Sequence, residues 1–186
     1  DWVGGRFSLW SAVGFSIALA LGFKTFEQLL AGAASMDEHF VTAPPLENLP
    51  VLLALLGVWN TNFLGRSGHV IAAYAQRLEM FVPYLQQMES NGKGVNRAGE
   101  AITYDTAPLI FGAVGTNAQH AYFQRLHQAH NWQPVDFILP LSSQADADAH
   151  QAVMANCFAQ QQALAFGNAS SQVPLYQQCP GNRPSS

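Results

Sequence analysis

Charge is what this sequence has least of. Only 11% of its 186 residues are Asp, Glu, Lys or Arg, against 49% hydrophobic, where an average soluble chain carries about 25% charged residues. So little charge leaves surface without solvating groups and points to faces meant for a partner chain. The 8 basic residues form no cluster and are outnumbered by 12 acidic ones, for a net charge of −4. Nothing here could neutralise a phosphate backbone, and no nucleic-acid partner is expected. Cysteine is scarce too: Cys157 and Cys179 have no metal or redox spacing, and no secretory signal precedes them, so a reducing cytoplasm is the expected setting. Long apolar runs are missing. The longest, residues 7–23, is interrupted by Ser8, Ser11, Gly14, Ser16 and Gly22, which suits a helix packed closely within protein and predicts no membrane span. The chain opens on Asp1 without an initiator Met and reads as a piece cut from a longer sequence.

What is present is enough for one large domain with a substantial core. Ser8 reads as the N-cap of a first helix through Leu9, Val13, Ile17 and Leu21 to Gly22. A second helix is expected from Thr25 to about Phe40. Pro44 and Pro45 then break the chain, and an apolar helix, buried on most sides, is expected from about Leu49 to Gly65. From there the pattern alternates. His69 to Tyr74 reads as a buried strand, Gln76 to Gln87 as a helix, Leu109 to Phe111 as a strand, and Ala118 to His130 as a helix. Val135 to Leu141 follows as a strand and Asp146 to Phe166 as a last helix. This order predicts an α/β fold with a mainly parallel sheet between helical layers, and directs attention to the loops after the strands. The domain is expected over residues 1–167, with an irregular, extended tail over 168–186.

Several residues could do chemistry. Gly4, Gly5 and Arg6 lie just ahead of the first expected helix, where backbone N–H groups, a helix dipole and a guanidinium could converge on an anion. On its own the same tripeptide is a tight turn with a surface arginine. Glu89 ends an expected helix in a polar stretch before Gly92, and a carboxylate desolvated there would be a general base. Its plain reading is a solvated helix terminus. His120 stands where a loop meets a helix after a buried strand, a place for an imidazole that exchanges protons or for a structural histidine. His127 and His130 share a helix face without a third ligand, so no metal is expected. Cys157 reads as core and Cys179 as an unactivated tail residue.

Taken in order, these blocks are not anonymous. Asp1-Trp2-Val3-Gly4-Gly5-Arg6-Phe7-Ser8-Leu9-Trp10-Ser11 closely resembles a signature of the glucose-6-phosphate isomerase family. Met88-Glu89-Ser90-Asn91-Gly92-Lys93, Gly115-Thr116-Asn117 with Gln119-His120, His127-Gln128, Asp136-Phe137 and Gly181-Asn182-Arg183-Pro184 resemble its successive motifs. The resemblance implies the second of two sugar-isomerase (SIS) domains, a three-layer αβα fold. It implies a cytoplasmic glycolytic and gluconeogenic enzyme interconverting glucose 6-phosphate and fructose 6-phosphate through a cis-enediol. By the same resemblance Glu89 moves the proton, Arg6 stabilises the enediolate, and His120 opens the sugar ring from the neighbouring subunit of a homodimer with shared active sites. Gly5 and Gln87 contact the substrate, and no cofactor is implied. Two residues usual between the glutamines and Met88 are missing, and Ala118 replaces a usual glycine. The phosphate-binding Ser/Thr groups and a C-terminal lysine of the family have no counterpart here, so the isolated chain is expected to be inactive. The alternative is a non-catalytic SIS module that binds or senses sugar phosphates.

Overall fold

The computed structural model describes residues 5–90, 92–142, 146–168, 174 and 177–183. The chain divides into two compact units, Asp1–Trp59 and Asn60–Ser186.

The first unit is helical: α1 spans Phe15–Leu21, α2 Phe23–Thr42 and α3 Leu49–Val58. Its opening differs from the expected one. Ser8 is buried and its hydroxyl donates to the Gly5 carbonyl rather than capping a helix. The cap is Ser11, whose Oγ accepts from the Val13 N–H at 3.4 Å at the head of a 3-10 turn, Ala12–Gly14. Gly22, at φ 88°, separates α1 from α2 in a backbone conformation that a side chain would strain. Past Pro44 and Pro45, Asn48 starts α3 by accepting from the Val51 N–H at 3.3 Å, while its amide donates to the Phe40 carbonyl at 2.8 Å. The helix stops at Val58 and passes into a π turn, Trp59–Phe63. It was expected to be buried on most sides, yet none of its residues is buried, and Leu53, Leu55, Leu56 and Val58 are exposed. A helix apolar all round has more surface to hide than the two other helices of this unit can cover.

The second unit holds the sheet. Strands β1 (Gly68–Ala73), β2 (Leu109–Val114) and β3 (Val135–Ile138) are parallel in the order β2-β1-β3, with His69 beside Ile110 and Ile71 beside Asp136. The helices are α4 (Phe81–Glu89), α5 (Gly115–Ala121), α6 (Phe123–Gln128) and α7 (Ala147–Phe166), the last capped by Asp146. Successive side chains of a strand point to opposite faces, and β1 feeds a core on each. Val70, Ala72 and Tyr74 pack with Ala118, Phe123, Leu126, Cys157 and Leu164 on one face. Ile71, with Ile110, packs against Val82, Phe81 and Leu85 of α4 on the other. The result is the three-layer α/β arrangement that the alternating pattern predicts. The single helix expected over 118–130 is two, broken at Tyr122 (φ −144°), whose ring lies edge-on to Phe111 at 5.5 Å. The described tail is not simply extended: Asn168 pairs antiparallel with Cys179, and the Arg183 N–H returns to the Leu164 carbonyl at 3.0 Å. No helix among the described residues is long and apolar enough to cross a membrane.

Candidate functional site

Glu89 is the last residue of α4, and its carboxylate is exposed. The apolar stripe of α4 fixes the helix on the sheet, and two polar side chains fix its end. Gln86 Nε2 donates to the Ile110 carbonyl at 2.9 Å, and the Ile110 N–H donates to Ser90 Oγ at 3.0 Å. Both backbone groups of one β2 residue are thus satisfied by side chains one helical turn apart, with Glu89 between them. A cleft of about 290 Å³ opens here, lined by Ser67, Ser90, Gly92, Asp105 and the segment Ala107, Pro108, Leu109. Ser67 and Leu109 mark the amino ends of β1 and β2, so this cleft is not at the carboxyl ends where the fold pattern directed attention. The helix runs back along the sheet and delivers its last residue to the opposite edge. Among the described residues none covers the Glu89 carboxylate as desolvation would require.

Gln87, two positions before Glu89, is also exposed. At 3.6 residues per turn the two side chains leave the helix about 200° apart, whereas Gln86 lies within about 60° of Glu89.

His120 belongs to the other end of β2. It sits, exposed, in α5, which follows β2 without a loop. This short helix has no side-chain N-cap. Gln119 Nε2 donates to the Tyr74 hydroxyl at 2.8 Å, and burial pushes the Tyr74 phenol up against the opposing effect of that bond. Ile110, which anchors the Glu89 end, is five residues from Gly115, roughly 16 Å of strand at about 3.3 Å per residue. Moreover α4 and α5 lie on opposite faces of the sheet. The structure does not bring Glu89 and His120 of one chain together.

Arg6 and Gly5 are exposed residues of the first unit, and Gly4 lies outside the described residues. The Gly5 carbonyl accepts from the Ser8 N–H at 3.2 Å, and the Arg6 guanidinium is 5.9 Å from the Phe7 ring centroid. The first α-helix begins only at Phe15, so its dipole does not focus on Arg6 as expected.

The remaining candidates are structural. His127 Nε2 lies 2.7 Å from Gln160 Oε1 on α7, which fixes its ring. Cys157 is fully buried and its thiol is pushed up to about 11 by that burial, so it stays protonated. No group of three His, Cys, Asp or Glu among the described residues could hold a metal. Reading the sequence alone missed three contacts. His69 on β1 pairs with Asp136 on β3 at 2.8 Å. Arg66 stacks on Trp132 at 4.0 Å. Buried Arg183 donates to the carbonyls of Ala129 (2.9 Å) and His127 (3.4 Å), tying the tail to α6. The Asp136-Phe137 and Gly181-Asn182-Arg183 motifs marked two of these regions but gave no partner.

A parallel sheet between helical layers, with an exposed carboxylate at one edge and an exposed imidazole at the other, defines the class: a three-layer α/β domain. The particular family follows from sequence: the phosphoglucose isomerase profile matches residues 1–180, and the chain belongs to that family. It is 51% identical to glucose-6-phosphate isomerase of Hahella chejuensis, with all of this chain and 37% of the relative covered. Against the enzyme of Chlorobium luteolum it is 54% identical over 93% of this chain and 32% of the relative. The crystal structure of a glucose-6-phosphate isomerase from Chlamydia trachomatis superimposes with a TM-score of 0.91 at 42% identity, covering all of this chain and 37% of that one. The chain therefore spans little more than a third of these relatives' length.

Proposed function

We propose that this chain is the base-carrying part of a cytoplasmic glucose-6-phosphate isomerase, a sugar-isomerase domain over residues 1–167 with its tail over 168–186. The reaction is an internal redox change, in which C1 is reduced as C2 is oxidised. Proton transfer alone accomplishes it, without an external electron carrier. The Glu89 carboxylate removes the proton from C2, leaving the electron pair on O1 as an enediolate, and returns it to C1 as the O2 hydroxyl proton passes to O1 and the C2 carbonyl forms. The Arg6 guanidinium faces that developing charge, with Gly5 allowing close approach of the backbone. His120 transfers the proton that opens the ring. Gln87 is the further substrate contact that the family resemblance implies.

The observation that carries this reading is the position of Glu89. It ends a helix pinned at Ile110, next to Ser90 on the wall of a cleft, in a chain that belongs to the isomerase family. C2 and the ring oxygen of one hexose are both bonded to C1, while Glu89 and His120 of one chain occupy opposite faces and ends of the sheet. One substrate molecule meets both residues only when they come from two chains, so the working enzyme is a homodimer with shared sites. The exposed apolar residues of α1 to α3 fit the same assignment, as surface for protein partners. Without a phosphate anchor the isolated chain is inactive, because orientation supplies much of the rate.

The test is Glu89→Gln in the full-length isomerase. Turnover should fall by about 10³-fold with substrate affinity kept. Unchanged turnover would remove Glu89 from the mechanism.

A further inference from the structure

We propose that Tyr74 is a positioning residue for ring opening, acting through Gln119 to hold the helix that carries His120. The inference rests on the role given to His120 above.

Helix α5 is a poor helix on its own terms. It has seven residues, no side-chain N-cap, and begins on Gly115 directly from the strand. Isolated helices of this length are unstable in water, so its geometry must come from what it packs against. Tyr74 supplies that at two points. A Cβ on Gly115 would lie 2.3 Å from the Tyr74 ring, so the first turn of α5 rests directly on the ring face. One turn later Gln119 donates to the hydroxyl of the same ring at 2.8 Å. Between them, fully buried Ala118 closes the contact.

Tyr74 itself cannot shift easily. It is 4% exposed, its N–H donates to the Ile138 carbonyl at 2.8 Å, and its ring stacks on Phe137 with centroids 6.1 Å apart. The hydroxyl is therefore a fixed point set by β1 and β3, and Gln119 transmits it to the neighbouring His120. A histidine that passes a proton between two sugar oxygens depends on such alignment, and a misplacement of about 1 Å can cost on the order of 10²-fold in rate.

The experiment uses full-length isomerase and Tyr74→Phe, which keeps the ring and removes only the hydroxyl. Two quantities separate the steps: exchange between the α and β anomers of glucose 6-phosphate, which needs ring opening alone, and affinity for an open-chain aldonate phosphate, which needs none. The expected result is a fall of about tenfold in anomer exchange and in kcat, with KM and analogue affinity within about twofold. Gln119→Met should give the same pattern, and the double variant should be no worse than either single one. Anomer exchange at the parent rate in Tyr74→Phe, or loss of analogue affinity in step with kcat, overturns the proposal. His120→Ala serves as the control. If it leaves anomer exchange intact, the role of His120 has failed; if it abolishes exchange while Tyr74→Phe does not, the positioning role has failed.

Discussion

The two ends of β2 are built in opposite ways. At the amino end, helix α4 is fastened by polar side chains: Gln86 and Ser90 occupy the backbone groups of Ile110, and exposed Glu89 ends the helix next to Ser90, which lines an open cleft. At the carboxyl end, helix α5 is fastened by shape, with Gly115 against the Tyr74 ring and Ala118 in the core, and one hydrogen bond to orient it. The same strand thus holds the helices carrying the proposed base and the proposed ring-opening histidine by two kinds of contact. They are too far apart for either to disturb the other, and too far apart to share a substrate.

That contrast makes the ends separable by mutation. The largest change in stability is expected at the carboxyl end. Gly115→Ala drives a methyl into a buried ring, and should cost about 1–3 kcal/mol, read as a lower urea midpoint at unchanged slope. It should also depress anomer exchange. At the amino end Ser90→Ala leaves the N–H of nearly fully buried Ile110 without its acceptor, at a cost of about 1–2 kcal/mol. Isomerisation should fall there while anomer exchange stays at the parent rate. If Ser90→Ala slowed anomer exchange as much as isomerisation, the two ends would be coupled and the contrast lost.

A second contrast runs between the two units and bears on what a sequence reveals. Among the described residues, every buried apolar residue of the core belongs to the second unit, while α3, the most apolar helix, buries none of its residues. Apolar periodicity reports that a surface wants to be covered, and says nothing of which chain covers it. The parallel sheet was legible because most of β1, Val70 to Ala73, is an unbroken apolar run and strands alternate with helices. The first cap was misplaced because Ser8 and Ser11 are equally good N-cap residue types, and only the turn around Gly5 decides between them. Glu89, His120 and Arg6 were singled out by their local setting, each with a plain structural reading beside it, and only the resemblance to a family gave them roles. The contacts that hold them were not legible at all: Tyr74 and Gln119 are 45 residues apart, and neither sits in a pattern that names the other. The direction of α4 was implicit in the β-α-β order, since a crossover helix must run back along the sheet. Drawing that consequence would have sent Glu89 to the amino edge from the start.

The central claim is that one strand separates the two catalytic groups, so that each working site combines Glu89 of one chain with His120 of another. Mixing full-length Glu89→Gln and His120→Ala subunits tests it directly. Random reassortment makes half the dimers mixed, each with one intact site, so two nearly inactive proteins should regain about one quarter of parent activity. Activity that stays at the level of the separate variants, with mixed dimers demonstrably formed, would contradict the account.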